Sequence, residues 1–209
     1  MSAVEQLEAG LEQAVQGSNA FRWVTGPEGV GKTSLVHKLQ SSVVRQGGRF
    51  VAGKCEPFRQ AERYEPLLQA MRQWVYQLWS EPADVITRLK ANLQAEFGQE
   101  ARTIVSLWPE AKRLFGSEAE GTSVSDDVKG WDRFGELLPG LIRCMAESKP
   151  PLVLTIDNLE WADDGTHAVI RSLAREETVP GLLLIGACRT EGRKSPGWPR
   201  DGARILRNA

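Results

Sequence analysis

Apolar residues recur along this chain in two rhythms, and the switches between them mark out its elements. Val4, Leu7, Leu11 and Val15 stand at helical spacing, which predicts an amphipathic helix over residues 3–16, ended by Gly17-Ser18-Asn19. Phe21–Val24 is a short apolar run that reads as a first strand, and Leu35, Val36 and Leu39 then restore the helical rhythm in a helix reaching about Arg45. Gln46-Gly47-Gly48 is a turn, and the weak alternation from Arg49 to Cys55 predicts a second strand. Two later runs, Leu152–Asp157 and Leu182–Ala187, are almost wholly apolar, as parallel strands buried on both faces are. Arg204-Ile205-Leu206 predicts a short last strand.

Between the second and third strands the helical rhythm holds throughout. Pro66 suits the first turn of a helix, and Leu67, Leu68, Met71, Trp74, Val75 and Leu78 form one stripe along it. Val85, Ile86, Leu89 and Leu93 form a second stripe, and Ala101–Trp108 a third, shorter helix stopped by Pro109. The expectation is a helical insertion over about residues 65–115, with Trp74, Trp79 and Trp108 packing it onto the sheet rather than forming a ligand platform. Gly116–Gly130 is small and acidic and reads as a loop. The stripe resumes at Trp131 with Phe134, Leu137, Leu138, Leu141, Ile142 and Met145, and Pro139 inside it predicts a kink or break. Asp163-Asp164 are expected to cap a helix running to about Glu177. Strands alternating with helices predict an α/β fold with a mainly parallel sheet and right-handed crossovers.

Composition narrows the setting more than the chemistry. A chain of 209 residues, 41% hydrophobic and 25% charged, suits one globular core, and its formal net charge of -1 gives no general pull toward nucleic acid or membrane. Met1-Ser2-Ala3-Val4-Glu5 lacks the pattern of a secretory signal, and the longest apolar runs are too short to span a bilayer. Cys55, Cys144 and Cys188 are odd in number and widely spaced, which predicts reduced, partly buried thiols in a cytoplasmic protein. His37 and His167, the two histidines, fall on predicted helices and read as solvated or packed side chains.

The chemistry concentrates in Gly26-Pro27-Glu28-Gly29-Val30-Gly31-Lys32-Thr33-Ser34. This segment satisfies the phosphate-loop pattern G-x-x-x-x-G-K-[S/T], and it lies between a predicted strand and a predicted helix, where that pattern has a physical meaning. The strand delivers the loop, the glycines let the backbone close on an anion, and the helix N-terminus offers N–H groups and a positive dipole end. Lys32 is then expected to reach the β- and γ-phosphates, and the Thr33 hydroxyl to hold Mg2+. With this motif the α/β fold becomes, as an expectation, a P-loop NTPase three-layer sandwich. In such sheets ligands bind outside the carboxyl ends of the strands. The third strand ends there in Asp157, a second metal candidate beside Thr33, and the fourth leads into Arg189, suited to sense a γ-phosphate. Asn158 cannot take a proton from water, so Glu160 is the candidate general base, and Asp163 and Asp164 read as caps.

The loop Gly26–Ser34, the segment Leu152–Asp163 with its Trp161-Ala162-Asp163 ending, and Gly186-Ala187-Cys188-Arg189-Thr190-Glu191 together resemble the signal-transduction ATPases with numerous domains. These are close to the origin-recognition-like AAA ATPase modules of bacterial multidomain regulators. Gly53-Lys54-Cys55-Glu56, Tyr64-Glu65-Pro66-Leu67 and Leu107-Trp108-Pro109-Glu110 support the resemblance, which covers nearly the whole chain. It implies that the strand carrying Arg189 lies between those serving Lys32 and Asp157, with Arg189 beside the γ-phosphate. It also implies an ATP-dependent switch whose ATP and ADP states act on attached domains or protein partners, or on its self-association. This chain has Asp157-Asn158 where many members carry two acidic residues, and it lacks their Gly-Arg-Glu segment and winged-helix lid, so the expectation is a core cut from a longer protein. Three readings follow: a Mg2+–ATP switch with slow hydrolysis, a nucleotide-binding scaffold without turnover, and a P-loop kinase for a small molecule. The last lacks an obvious lid arginine in Gly116–Gly130. Direct contact with nucleic acid or membrane is not expected.

Overall fold

A computed structural model describes residues 2–57, 63–116, 128–147, 151–175 and 179–189, and the backbone of 203–206. Most of the 116–130 loop, the end of the helix expected to reach about Glu177, and residues 192–202 of the tail lie outside the described residues. Five strands, β1 (Ala20–Gly26), β2 (Arg49–Lys54), β3 (Leu152–Asp157), β4 (Leu182–Arg189) and β5 (Ala203–Leu206), form one sheet in the order β2-β3-β4-β1-β5. Every pairing is parallel, and β4 lies between β1 and β3, as the resemblance implies. Gly26 is opposite Arg189 and Lys54 is opposite Asp157, so the chemically interesting residues share the carboxyl edge of the sheet.

Strand periodicity sorts the apolar runs onto two faces. Val24, Val153, Leu183 and Ile185 join a core with α1 (Ala3–Val15) and α2 (Lys32–Arg45), whereas Trp23, Leu152, Leu154, Ile156, Leu182 and Leu184 face the other way. That second face is covered by α3 (Glu65–Leu78), α4 (Ala83–Phe97), α5 (Ala101–Leu107), α6 (Lys112–Phe115), α7 (Val128–Glu147) and α8 (Asp164–Arg175). The result is the expected three-layer α/β sandwich, and among the described residues the regular elements between β2 and β3 are all helical. Helix α1 starts in a reciprocal cap: Ser2 Oγ accepts from the Glu5 N–H (3.2 Å) and Glu5 accepts from the Ser2 N–H (2.7 Å). Among the described residues no helix is long and apolar enough to cross a membrane.

Helix α7 departs from expectation at two points. Helix α7 begins at Val128 rather than Trp131, and it runs through Pro139 without a break. The missing N–H at Pro139 costs about 3 kcal/mol, but Phe134, Leu138, Leu141, Ile142 and Met145 on the same helix are each at most 2% exposed. Burying one such side chain is worth about 1.5–3 kcal/mol, so the stripe outweighs the proline. Trp74 and Trp108 are buried in the core beneath the sheet, as expected of packing residues. Trp79 lies at its margin, with the Lys90 ammonium 5.3 Å and the Arg113 guanidinium 6.0 Å from its ring.

The sheet edge at β2 is closed by side chains. Gln73 accepts from Ala52 N (3.0 Å) and donates to Ala52 O (2.8 Å); Gln69 accepts from Lys54 N (3.1 Å), and Gln77 donates to Phe50 O (2.9 Å). Four residues of helix advance about 6 Å and two residues of strand about 6.6 Å, so glutamines four apart match backbone groups two apart. Helix α3 approaches so closely that a Cβ on Gly53 would lie 1.8 Å from the Pro66 carbonyl oxygen. Gly53→Ala is therefore expected to cost about 3 kcal/mol or more, and Gln73→Leu about 1–2 kcal/mol through two lost edge hydrogen bonds. Urea unfolding of both variants checks the ranking, and a Gly53→Ala protein as stable as wild type would show that α3 does not sit this close.

Candidate functional site

Strand β1 ends at Gly26 and the chain turns through the loop into α2. Gly29 (φ 74°) and Gly31 (φ 86°) take left-handed backbone that other residues adopt only with strain. No side chain caps α2, and its first ladder bond runs from Leu35 N to Gly31 O (2.9 Å), so the amides of its first turn precede the ladder. Lys32 is buried over this loop, its Nζ donating to Gly26 O (3.0 Å) and Pro27 O (2.9 Å). An ammonium has three protons; two hold the loop closed and the third remains for an anion. Thr33 and Ser34 stand exposed on the first turn, and Val30 is half-buried. Cradle, dipole and ammonium together suit a polyphosphate.

Strand β3 brings Asp157 to the same edge. Thr33 Oγ1 donates to Asp157 Oδ2 at 2.6 Å, and the Asn158 N–H donates to Oδ1 at 2.8 Å. Asn158 sits at φ 55°, the left-handed region that asparagine tolerates better than most residues, and its amide leans on Cys55 O at 3.4 Å. A hydroxyl and a carboxylate in contact are a fitting donor pair for Mg2+, which keeps several waters and takes few protein oxygens. A cavity of about 240 Å3 opens beside them, lined among others by His37, Gly53, Gln69 and Thr155. Glu160 does not line it.

Strand β4 brings Arg189. Its guanidinium donates twice to Glu28 of the loop, at 2.8 and 2.9 Å. Its Nε lies 3.0 Å from Glu160 Oε1, out of line for a hydrogen bond, while its backbone N–H donates to Glu160 Oε2 at 3.3 Å. The two carboxylates differ in setting: the Glu28 side chain is 74% exposed and that of Glu160 12%. An exposed pair is worth about 0–1 kcal/mol, whereas stripping a buried carboxylate of its cation costs several times that. Glu160 thus anchors Arg189, and Glu28 holds it loosely.

Asp163 caps the helix as expected, but sequence reasoning gave no bracing role to Tyr64 and did not single out Arg72. Tyr64 sits at φ 59°, its N–H donates to Asp163 Oδ2 (3.2 Å), and its ring enters a slot where a Cβ on Gly135 or Gly165 would collide with it. Asp163 caps α8 through Thr166 N (3.0 Å) and the Thr166 hydroxyl. Arg72 joins Glu65 (3.0 Å) to Glu110 (3.2 Å), linking two of the segments that carried the resemblance. A signal was present for Arg72, an arginine seven residues after a glutamate on one helix face, whereas nothing local marks the left-handed backbone of Tyr64. Burial, followed by the charges of Asp163, Glu160 and Asp157, pushes the Cys55 thiol up to about 12. Among the described residues Cys55, Cys144 and Cys188 are not joined in disulfides, and the first two are buried.

A strand, a glycine loop and a helix at the carboxyl edge of a parallel sheet, with a carboxylate from a neighbouring strand, define an α/β nucleotide-binding module of the P-loop NTPase class. Residues 2–185 match the family described as the AAA ATPase domain, and the chain belongs to that family. It is also similar to the hybrid signal transduction histidine kinase G of Dictyostelium discoideum, 26% identical over 166 residues. That match covers 78% of this chain but 5% of the length of the relative.

The unequal hold on Arg189 has a measurable consequence. Arg189→Ala is expected to lower stability by about 1–3 kcal/mol by stranding Glu160, whereas Glu28→Ala stays within about 0.5 kcal/mol of wild type. Urea midpoints at neutral pH check this; equal losses would mean that Glu28, not Glu160, is the structural partner.

Proposed function

We propose that this chain is a Mg2+–ATP-binding regulatory ATPase module that works as a nucleotide-dependent signalling switch with slow hydrolysis. The observation that carries the reading is the 2.6 Å contact between Thr33 and Asp157, made beside a glycine loop that Lys32 holds closed. In this reading Gly26–Ser34 wraps the phosphates with backbone N–H groups, and Lys32 turns its remaining proton toward the β- and γ-phosphates. Thr33 and Asp157 hold Mg2+, whose chemistry when bound is to neutralise phosphate charge and orient the terminal phosphoryl group. Arg189 faces the γ-phosphate from β4, so that its loss on hydrolysis changes what the guanidinium binds. Glu160 is the candidate base, but its tie to Arg189 competes with that work, and Asn158 adds no carboxylate; both support slow turnover. The same two facts favour a second reading, a nucleotide-binding scaffold without turnover.

The resemblance to signal-transduction ATPases with numerous domains, and the similarity to part of a much longer signalling kinase, support a module that acts on attached domains in a cytoplasmic regulator. ATP rather than GTP is proposed from that resemblance. Calorimetric titration with ATP, ADP and GTP, with and without Mg2+, is expected to show Mg2+-dependent adenine nucleotide binding that Lys32→Ala lowers by about a hundredfold or more. Lys32→Ala binding as wild type does would sink the phosphate-loop reading. Asp157→Ala is expected to remove the Mg2+ dependence. Phosphate release at background in wild type, with binding intact, would leave the scaffold.

A further inference from the structure

The Glu28 side chain has no part in the mechanism above, yet it pairs with Arg189 through both its oxygens at the mouth of the loop. It occupies the third position of Gly26–Ser34, between Pro27 and Gly29, and projects into solvent except where both its oxygens meet Arg189 (2.8 and 2.9 Å). Register explains the meeting: Gly26 and Arg189 are opposite one another on adjacent parallel strands, so the end of β4 rises beside the first residue of the loop. A carboxylate that grips a guanidinium with two oxygens uses the geometry by which a phosphate oxygen pair would grip it.

We propose that Glu28 is a tethered competitor for the anion that Arg189 recognises, and so a determinant of which nucleotide the site prefers. This deepens the proposed function and rests on it: a polyphosphate must lie along the loop. A terminal phosphate reaching Arg189 displaces the Glu28 carboxylate, which is exposed and free to swing into water. Arg189 does not follow, because the largely buried Glu160 holds its other side. A nucleotide that ends at the β-phosphate leaves the Glu28–Arg189 pair in place. Glu28 therefore lowers affinity for triphosphate selectively, and its pairing with Arg189 is the resting contact that a third phosphate breaks.

The test is a double-mutant cycle in ATP and ADP binding with Mg2+, on wild type, Glu28→Gln, Arg189→Gln and the double variant. Glu28→Gln is expected to tighten ATP by about fivefold and to change ADP by less than about twofold. In the Arg189→Gln background, Glu28→Gln is expected to leave the ATP-to-ADP ratio unchanged. Equal effects on both nucleotides, weaker ATP binding, or the same ratio change in both backgrounds would each overturn the competitor, since a plain charge effect does not need Arg189. Wild type that binds neither nucleotide would overturn the proposed function along with it. Wild type that binds both, with a ratio indifferent to Glu28, overturns the competitor alone.

Discussion

A hydroxyl and a carboxylate 124 residues apart in the chain meet at 2.6 Å, and the rest of the structure depends on holding them there. Thr33 rides on the first turn of α2, delivered by β1, whereas Asp157 ends β3, and β4 runs between the two strands. Strand spacing near 4.8 Å sets the groups two strands apart, so the intervening strand must stay low where they reach across it. It does: β4 carries Gly186 and Ala187 at this level, opposite Trp23 and Val24 of β1. A Cβ on Gly186 would stand 2.1 Å from the Trp23 ring and 2.6 Å from the Leu159 side chain. Leu159 belongs to the turn that follows Asp157, so this one missing side chain lets that turn settle onto the sheet. Short of Arg189, β4 thus serves this contact by being thin: small Ala187 lines the cavity beside Thr33 and Asp157, and Gly186 leaves room on the opposite face.

The helical stretch after β2 braces the same edge from the other side. Glutamines of α3 finish the hydrogen bonding of β2, and β2 in turn pairs with β3 along its whole length, Lys54 opposite Asp157. Beyond the strands, Cys55 N donates to Asp157 O (3.0 Å) and Tyr64 N to Asp163, so both ends of the turn after β3 are bonded to the segment that opens the insertion. Tyr64 pays for this with left-handed backbone, which costs about 1–3 kcal/mol in a non-glycine residue. Its buried ring, packed near Trp131 and Phe134 (centroids 6.2 Å from each), offsets that cost.

The strands and the phosphate loop were legible in the sequence because their signals are local. Leu152–Ile156 and Leu182–Ala187 have nowhere to go but a sheet covered on both faces, and a glycine loop between a strand and a helix has one good use. The strand order was legible only through the resemblance, since periodicity carries no information about which strand neighbours which. What stayed hidden depends on partners distant in sequence. Gln69, Gln73 and Gln77 look like a solvated face until a strand edge is set against them. Pro139 looks like a break until the whole buried stripe of α7 is counted against it. Asn158 looked like a missing carboxylate, whereas its backbone shows a second reason for its identity: the chain must turn left-handed there, and asparagine does so cheaply.

Magnitudes limit how a switch of the proposed kind can work. Moving a two-state equilibrium from 1:99 to 99:1 takes about 5.5 kcal/mol of differential binding. Exchanging an exposed carboxylate for a phosphate on Arg189 offers little at its own site, because a surface ion pair is worth about 0–1 kcal/mol. A charge-assisted hydrogen bond from Arg189 or Lys32 to the terminal phosphate adds about 1.5–3 kcal/mol. Two such bonds, less the Glu28 contact, come to about 2–6 kcal/mol, which reaches the requirement only at its upper end. The nucleotide can therefore throw the switch only if the two states of whatever contacts this module are nearly balanced beforehand. In a switch of this kind the decisive tuning would lie in the surfaces around the module, and the phosphate site would have the narrower task of reporting through Arg189 whether a third phosphate is there.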